Sequence, residues 1–161
     1  MKPDIYIRSV TEISADFMRS FALSGLLLDL DNTLAGYHVN APPPEVSEWL
    51  NTLRGNGYQL IVCSNSRESR VRAFCEPLGL DYVHSAKKPA PQGLLKAVSR
   101  LGLRVSDFAM VGDQLRTDIR SGLRAEMMTI MVDPLIDSPW FRLRRAVEAL
   151  FMGRTTYYEQ P

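Results

Sequence analysis

Asp29 and Asp31 stand two residues apart where the apolar run GLLLDL (25–30) gives way to DNT. Like charges this close repel, and partial desolvation would return protons to them unless a positive charge lies alongside. The pair asks for a cation. Three more polar groups follow apolar runs farther along: Ser64 and Asn65 close IVCSN, Lys87 and Lys88 sit in SAKKPAP, and Asp113 and Asp118 in VGDQLRTD. Acid, hydroxyl, base and acid together suit phosphoryl transfer. A carboxylate can attack phosphorus in line and form an aspartyl-phosphate, dividing one hard displacement into two easier ones. Because that carboxylate and a phosphate dianion repel, the chemistry needs a hard divalent cation. Mg²⁺ is typically held by one or two carboxylates, waters and substrate oxygens. Asp113, with Asp118 beside it, would supply the remaining anionic ligands. A lysine would offset leftover negative charge, and a serine hydroxyl with backbone N–H groups would cradle the phosphoryl oxygens. A carboxyl two residues past the nucleophile can protonate a leaving alkoxide and later take a proton from water, the general acid/base role given to Asp31.

Such residues meet only if separate segments deliver them to one edge. GLLLDL (25–30), YQLIVCS (58–64), DYVHS (81–85), DFAMVG (107–112) and MMTIMVD (127–133) read as strands, several without polar alternation, as in a parallel sheet covered on both faces. Between them, PEVSEWLNTLRGNG, SRESRVRAFCEPLG, PQGLLKAVSRLG and QLRTDIRSG carry helical spacing, and each ends in a glycine suited to a left-handed helix cap. About five alternating units predict a three-layer, doubly wound, Rossmann-like α/β fold with a parallel sheet, in which ligands bind at the carboxyl ends of the strands. The 161 residues suit one domain. Residues 1–24 form a short strand and a helix packed on the sheet, APPPEV (41–46) is a stiff loop, and the tail 138–161 adds one more helix.

DLDNTL, CSN, KP and GDQLRTD resemble the four sequence motifs of the haloacid dehalogenase (HAD) superfamily of phosphatases and phosphotransferases, in order and spacing from residue 25 to 133. LDLDNTL, AKKP and VGDQLRTD more narrowly resemble the YqeG-type branch of its subfamily IIIA, from PDIYIRSV to near SPWF. The resemblance implies Asp29 as nucleophile and metal ligand, and Asp31 as acid/base whose backbone carbonyl also binds Mg²⁺. It further implies Ser64, with Asn65, at the phosphoryl group, Lys88 as the motif lysine, Asp113 as a metal ligand and Asp118 as a supporting acid. SNS and SGLRAE depart from the pattern, which has a second asparagine in the first and an asparagine and a glycine in the second. Relatives often insert a cap domain after the first motif or between the second and third. Here Ser64 lies 33 positions after Asp31, and Lys88 lies 24 after Ser64, so neither gap houses a cap. The expected substrate is therefore a large or surface-presented phosphomonoester: a lipid headgroup such as phosphatidylglycerophosphate, a nucleotide or nucleic-acid end, or a phosphoprotein, unless another subunit supplies a lid. A phosphatidylglycerophosphatase family resembles this one.

Each residue also has a structural reading. A lone DxD can start a helix, Ser64 or Ser66 can cap one, and Asp118 can favour a helix N-terminus. Lys87 reads as a solvated neighbour, and His38 and His84 lack triad or metal spacing. Cys63 and Cys75 form no CxxC pair and read as small buried apolar residues. From another function class, a non-catalytic phospho-acceptor or binding module could use the same acidic pocket, but it needs no acid/base at Asp31. In the tail, Trp140, Leu143, Val147, Leu150 and Phe151 recur at helical spacing beside Arg142, Arg144 and Arg145. Such a stripe reads first as a helix docked on its own core. Its alternative is an interfacial helix whose arginines meet anionic lipid. A net charge of +1 gives no sign of a nucleic-acid partner and says nothing further about a polyanionic one. The absence of a bilayer-length apolar run or signal pattern gives a cytoplasmic expectation, with membrane contact peripheral.

Overall fold

Six parallel strands form one sheet in the computed structural model, which describes residues 1–136, 139–152 and 157–158. In chain order the elements are β1 (Ile5–Ile7), α1 (Ala15–Ser20), β2 (Gly25–Leu28), α2 (Pro44–Gly55), β3 (Gln59–Cys63) and α3 (Glu68–Cys75). They continue with β4 (Asp81–Val83), α4 (Gln92–Ser99), β5 (Phe108–Gly112), α5 (Arg120–Arg124), β6 (Met128–Val132) and α6 (Pro139–Met152). The strand order is β1-β6-β5-β2-β3-β4. From central β2 the chain moves outward through β3 and β4, then returns to β5 on the other side. The carboxyl end of β2 is thus the point where the winding reverses, and there the loops on either side diverge and leave a crevice.

Strand alternation sorts the two apolar layers. Leu26 and Leu28 join Leu60, Val62, Ala109 and Val111 against α1, α2 and α3, where Phe17, Val46, Trp49, Leu53, Val71 and Phe74 are buried. Leu27, Ile61, Cys63 and Met110 face the opposite way, onto Leu94, Ala97 and Val98 of α4 and Ala125. Each buried leucine contributes about 1.5–3 kcal/mol relative to exposure. Pro44 opens α2, where its missing N–H costs nothing. Gly57, Gly79 and Gly102 take positive φ past their helices, as the cap reading expects. Gly122 does not: it lies inside α5, where an added Cβ would sit 2.6 Å from Thr129 Cγ2 and 2.9 Å from Met110 Cβ. It is a close-approach glycine that lets α5 lie on the sheet.

The tail is helical over Pro139–Met152, and the described members of its stripe are not docked as the first reading expects. Leu143, Val147 and Leu150 are exposed by 59, 47 and 82%. Farther along, Tyr158 donates its N–H to Tyr6 O at 2.7 Å, and its ring meets Phe17 and Phe21 with centroids 5.6 and 5.8 Å away. Ser138 and the side chains of Trp140, Arg144, Arg145 and Phe151 lie outside the described residues.

Candidate active site

The site is assembled where four strands end. Past β2, the Asp29 N–H still donates to Val111 O at 2.9 Å, so this residue stays tied to β5. The chain then folds back on itself, with the N–H groups of Leu34 and Ala35 donating to Leu30 O at 3.0 and 3.2 Å. Asn32 takes φ 71° there, a conformation its short polar side chain tolerates. Its carbonyl and Oδ1 accept the N–H groups of Leu135 and Ile136 at 2.9 and 2.8 Å, which fastens the loop after β6 to the loop after β2.

After β3, Ser64 is buried and its Oγ accepts the N–H of Ser66 at 3.1 Å. Asn65 turns its amide to the main chain of Lys88: Oδ1 accepts the Lys88 N–H at 2.7 Å and Nδ2 donates to Lys88 O at 2.9 Å. Its side chain thus holds the lysine main chain in place. Lys88, buried, donates from Nζ to Asp29 Oδ1 at 2.6 Å and to Asp118 Oδ1 at 2.7 Å. Neighbouring Lys87 is exposed. Asp118 lies on the single π-turn Leu115–Ile119 that follows β5, and its Oδ2 accepts the Gln114 N–H at 3.0 Å. One of its carboxylate oxygens thus receives that N–H and the other faces the lysine. Gly112 makes this possible, since a Cβ on it would stand 2.5 Å from Asp118 Cβ.

Asp29, Asp113 and Asp118 are buried, and each offers a carboxylate oxygen within 4.8 Å of the others. Burial, and then the Asp118 carboxylate, push the Asp29 acid up to about 8 against the pull of Lys88. Burial also works to strip the Lys88 proton, but the carboxylates of Asp118 and Asp29 outweigh it and hold its pKa above the ordinary value. Once a bound cation lets Asp29 ionise, the three carboxylates and one ammonium leave two negative charges in excess. An all-oxygen, hard donor set with that surplus fits a divalent cation such as Mg²⁺.

Asp31 stands apart from this cluster. Its Oδ1 accepts Nε and Nη2 of Arg70 at 3.1 and 2.9 Å, and its Oδ2 accepts the Ser66 hydroxyl at 2.6 Å. A cavity of about 260 Å³ unites Asp29, Asp31, Ser64, Asn65, Lys88 and Asp118, with Tyr37, Ser66, Gln114 and Thr117 completing its wall. Sequence reasoning missed Tyr37, Gln114, Thr117 and Arg70. The only signal for Arg70 is a second arginine one turn after Arg67 in SRESR, which looks like any solvated helix start. His38 and His84 lie outside this cavity, and Cys63 and Cys75 are buried thiols pushed up to about 12 by burial.

A family model described as haloacid dehalogenase-like hydrolase matches residues 10–126. Among curated proteins, the chain is 33% identical over 148 residues to "Probable phosphatase YqeG" of Bacillus subtilis, covering 91% of this chain and 86% of that one. It is 28% identical over 144 residues to phosphatidylglycerophosphate phosphatase 1, chloroplastic/mitochondrial, of Arabidopsis thaliana, covering 83% of this chain but 41% of that protein. Among solved structures, 3-deoxy-D-manno-octulosonate 8-phosphate phosphatase from Moraxella catarrhalis superposes with a TM-score of 0.53 at 19% identity, over 69% of this chain and 67% of that one. Hypothetical protein XCC2798 from Xanthomonas campestris does so with a TM-score of 0.58 at 19% identity, over 85 and 78%. The extent of the family match and the Bacillus relative, on a sheet whose strand ends gather these acids around one lysine, make the chain a member of the haloacid dehalogenase-like hydrolases, and a phosphatase.

Proposed function

We propose that the protein is a Mg²⁺-dependent phosphomonoesterase that works through an aspartyl-phosphate on Asp29. The observation that carries this reading is Lys88 Nζ between Asp29 Oδ1 and Asp118 Oδ1, at 2.6 and 2.7 Å, inside the carboxylate cluster. Asp29, Asp113 and Asp118, with the Asp31 carbonyl, would hold Mg²⁺, which when bound neutralises phosphoryl charge and lets Asp29 approach as an anion. Lys88 offsets the rest, and Ser64 Oγ with the N–H groups after it cradles the phosphoryl oxygens. An Asp29 oxygen bonds to phosphorus as the ester oxygen leaves with its electron pair. Asp31 gives that oxygen a proton, then takes one from the water that hydrolyses the acyl-phosphate.

The substrate proposed is a phosphomonoester presented at a surface, with phosphatidylglycerophosphate the leading case. Two observations support it. Only α2 and β3 stand between Asp31 and Ser64, and only α3, a 3₁₀ turn and β4 between Ser64 and Lys88, so nothing inserted there encloses a small metabolite. One similar protein also carries that substrate in its name. The test is multiple turnover with Mg²⁺ on phosphatidylglycerophosphate vesicles, a nucleotide monophosphate and an aryl phosphate. A kcat/KM highest on the lipid supports the reading, and a preference for the nucleotide replaces it. Asp29→Asn is expected to abolish turnover and ³²P labelling of the protein; turnover that survives unchanged in this variant rejects the aspartyl-phosphate mechanism, and labelling that survives places the phosphoryl group on another residue.

A further inference from the structure

The Asp31 carboxylate is held by more donors than a surface acid collects. Arg70 aims two N–H groups at Oδ1, at 3.1 and 2.9 Å, while the Ser66 hydroxyl takes Oδ2 at 2.6 Å. Arg70 is itself braced: Nη2 also donates to Gly36 O at 3.3 Å, Nη1 to Asn40 Oδ1 at 3.4 Å, and its guanidinium carbon lies 5.9 Å from the Phe74 ring centroid. Although Asp31 and Ser66 line the reaction cavity, Arg70 does not. The guanidinium therefore reaches the carboxylate from outside that cavity.

We propose that Arg70 and Ser66 are positioning residues that fix the orientation of the Asp31 carboxylate for proton transfer. The inference rests on the acid/base role given to Asp31 above. The two oxygens are not equivalent. A guanidinium can only donate, so Oδ1 under its fork cannot carry a proton while that contact holds. A hydroxyl can rotate and accept instead, so Oδ2 can carry one and keep its partner. Arg70 thus assigns the proton to Oδ2. In the first chemical step the Asp29 oxygen bonds to phosphorus, the bond from phosphorus to the ester oxygen breaks with its electron pair, and the Oδ2 proton passes to that oxygen. A forked, braced guanidinium limits the carboxylate's rotation, and misplacement of a proton donor by about 1 Å can cost on the order of a hundredfold.

Leaving-group dependence isolates this role, because kcat/KM reports steps up to the first irreversible one. An alkyl phosphate such as glycerol phosphate needs the proton, whereas 2,4-dinitrophenyl phosphate expels a stable phenolate without it. With Mg²⁺ present, Arg70→Gln is expected to lower kcat/KM for the alkyl ester at least about tenfold more than for the dinitrophenyl ester, within the ~10²–10⁴ that general acids contribute. Arg70→Lys, which keeps the charge but not the fork, is expected to fall between Arg70→Gln and wild type. Ser66→Ala removes one hydroxyl and is expected to show the same selectivity, so the test survives if the arginine variants fail to fold. Equal losses on both esters in these variants overturn the proposal, provided that Asp31→Asn shows the selective loss. If Asp31→Asn also loses both equally, the acid role itself is what fails.

Discussion

Removing the Lys88 ammonium leaves Asp29 and Asp118, both largely buried, without the cation they share. Breaking one partner from a buried ion pair costs about 3–5 kcal/mol, so Lys88→Met is expected to lower metal-free stability by that order in urea titration, besides abolishing turnover. Asp113→Asn should act in the opposite direction. It removes one of the carboxylates that oppose ionisation of Asp29, so the metal-free melting temperature is expected to rise by about 2–4 °C, while the further rise on adding Mg²⁺ disappears. The thiols of Cys63 and Cys75, both pushed up to about 12 by burial, should resist a thiol reagent at pH 8 until urea unfolds the chain. At this scale the sequence showed Asp29, Asp31, Lys88 and Asp113 because acids and a lysine recur at the ends of apolar runs. Arg70 stayed invisible because a helix arginine carries no mark of the loop it will lean on. Asn65 was visible, but its attachment to the Lys88 backbone was not, since that contact joins residues 23 apart.

Short elements place the acids, and two glycines show how. At Gly112 a Cβ would enter the space of Asp118, 2.5 Å from its Cβ, Cγ and Oδ2. Gly112→Ala is thus expected to cost about 1–3 kcal/mol in thermal or chemical unfolding and to lower kcat by shifting Asp118. The run VGD could be read as a strand end, yet its glycine looks there like a mere turn residue. The requirement comes from the π-turn at Leu115–Ile119, which lays Asp118 back over β5. Gly122 differs from its cap reading for a related reason: local spacing points to a helix end, whereas close packing on Met110 and Thr129 is a tertiary demand. Strands and the longer helices were legible because their periodicity is the burial pattern itself, as Val46, Trp49, Leu50 and Leu53 of α2 illustrate.

Across the molecule, the fold class followed from alternation of strand and helix, but the setting of α6 did not, because an amphipathic stripe does not say what it faces. Its exposed Leu143, Val147 and Leu150 give the interfacial alternative a direct test. Leu143→Glu with Leu150→Glu is expected to reduce cosedimentation with phosphatidylglycerol vesicles and to leave turnover of a soluble aryl phosphate unchanged. Unaltered cosedimentation removes the helix from any membrane role. Deleting the whole tail is a poorer experiment, since Tyr158 packs against Phe17 and Phe21. With no cap inserted between Asp31 and Lys88 to roof the crevice at the end of β2, an acyl-phosphate on Asp29 would be open to solvent and whatever it contains. Water would then compete with any dissolved alcohol for the same phosphorus. Added methanol or glycerol should divert part of the phosphoryl flux into a new ester, with alcohol released from the original substrate exceeding inorganic phosphate.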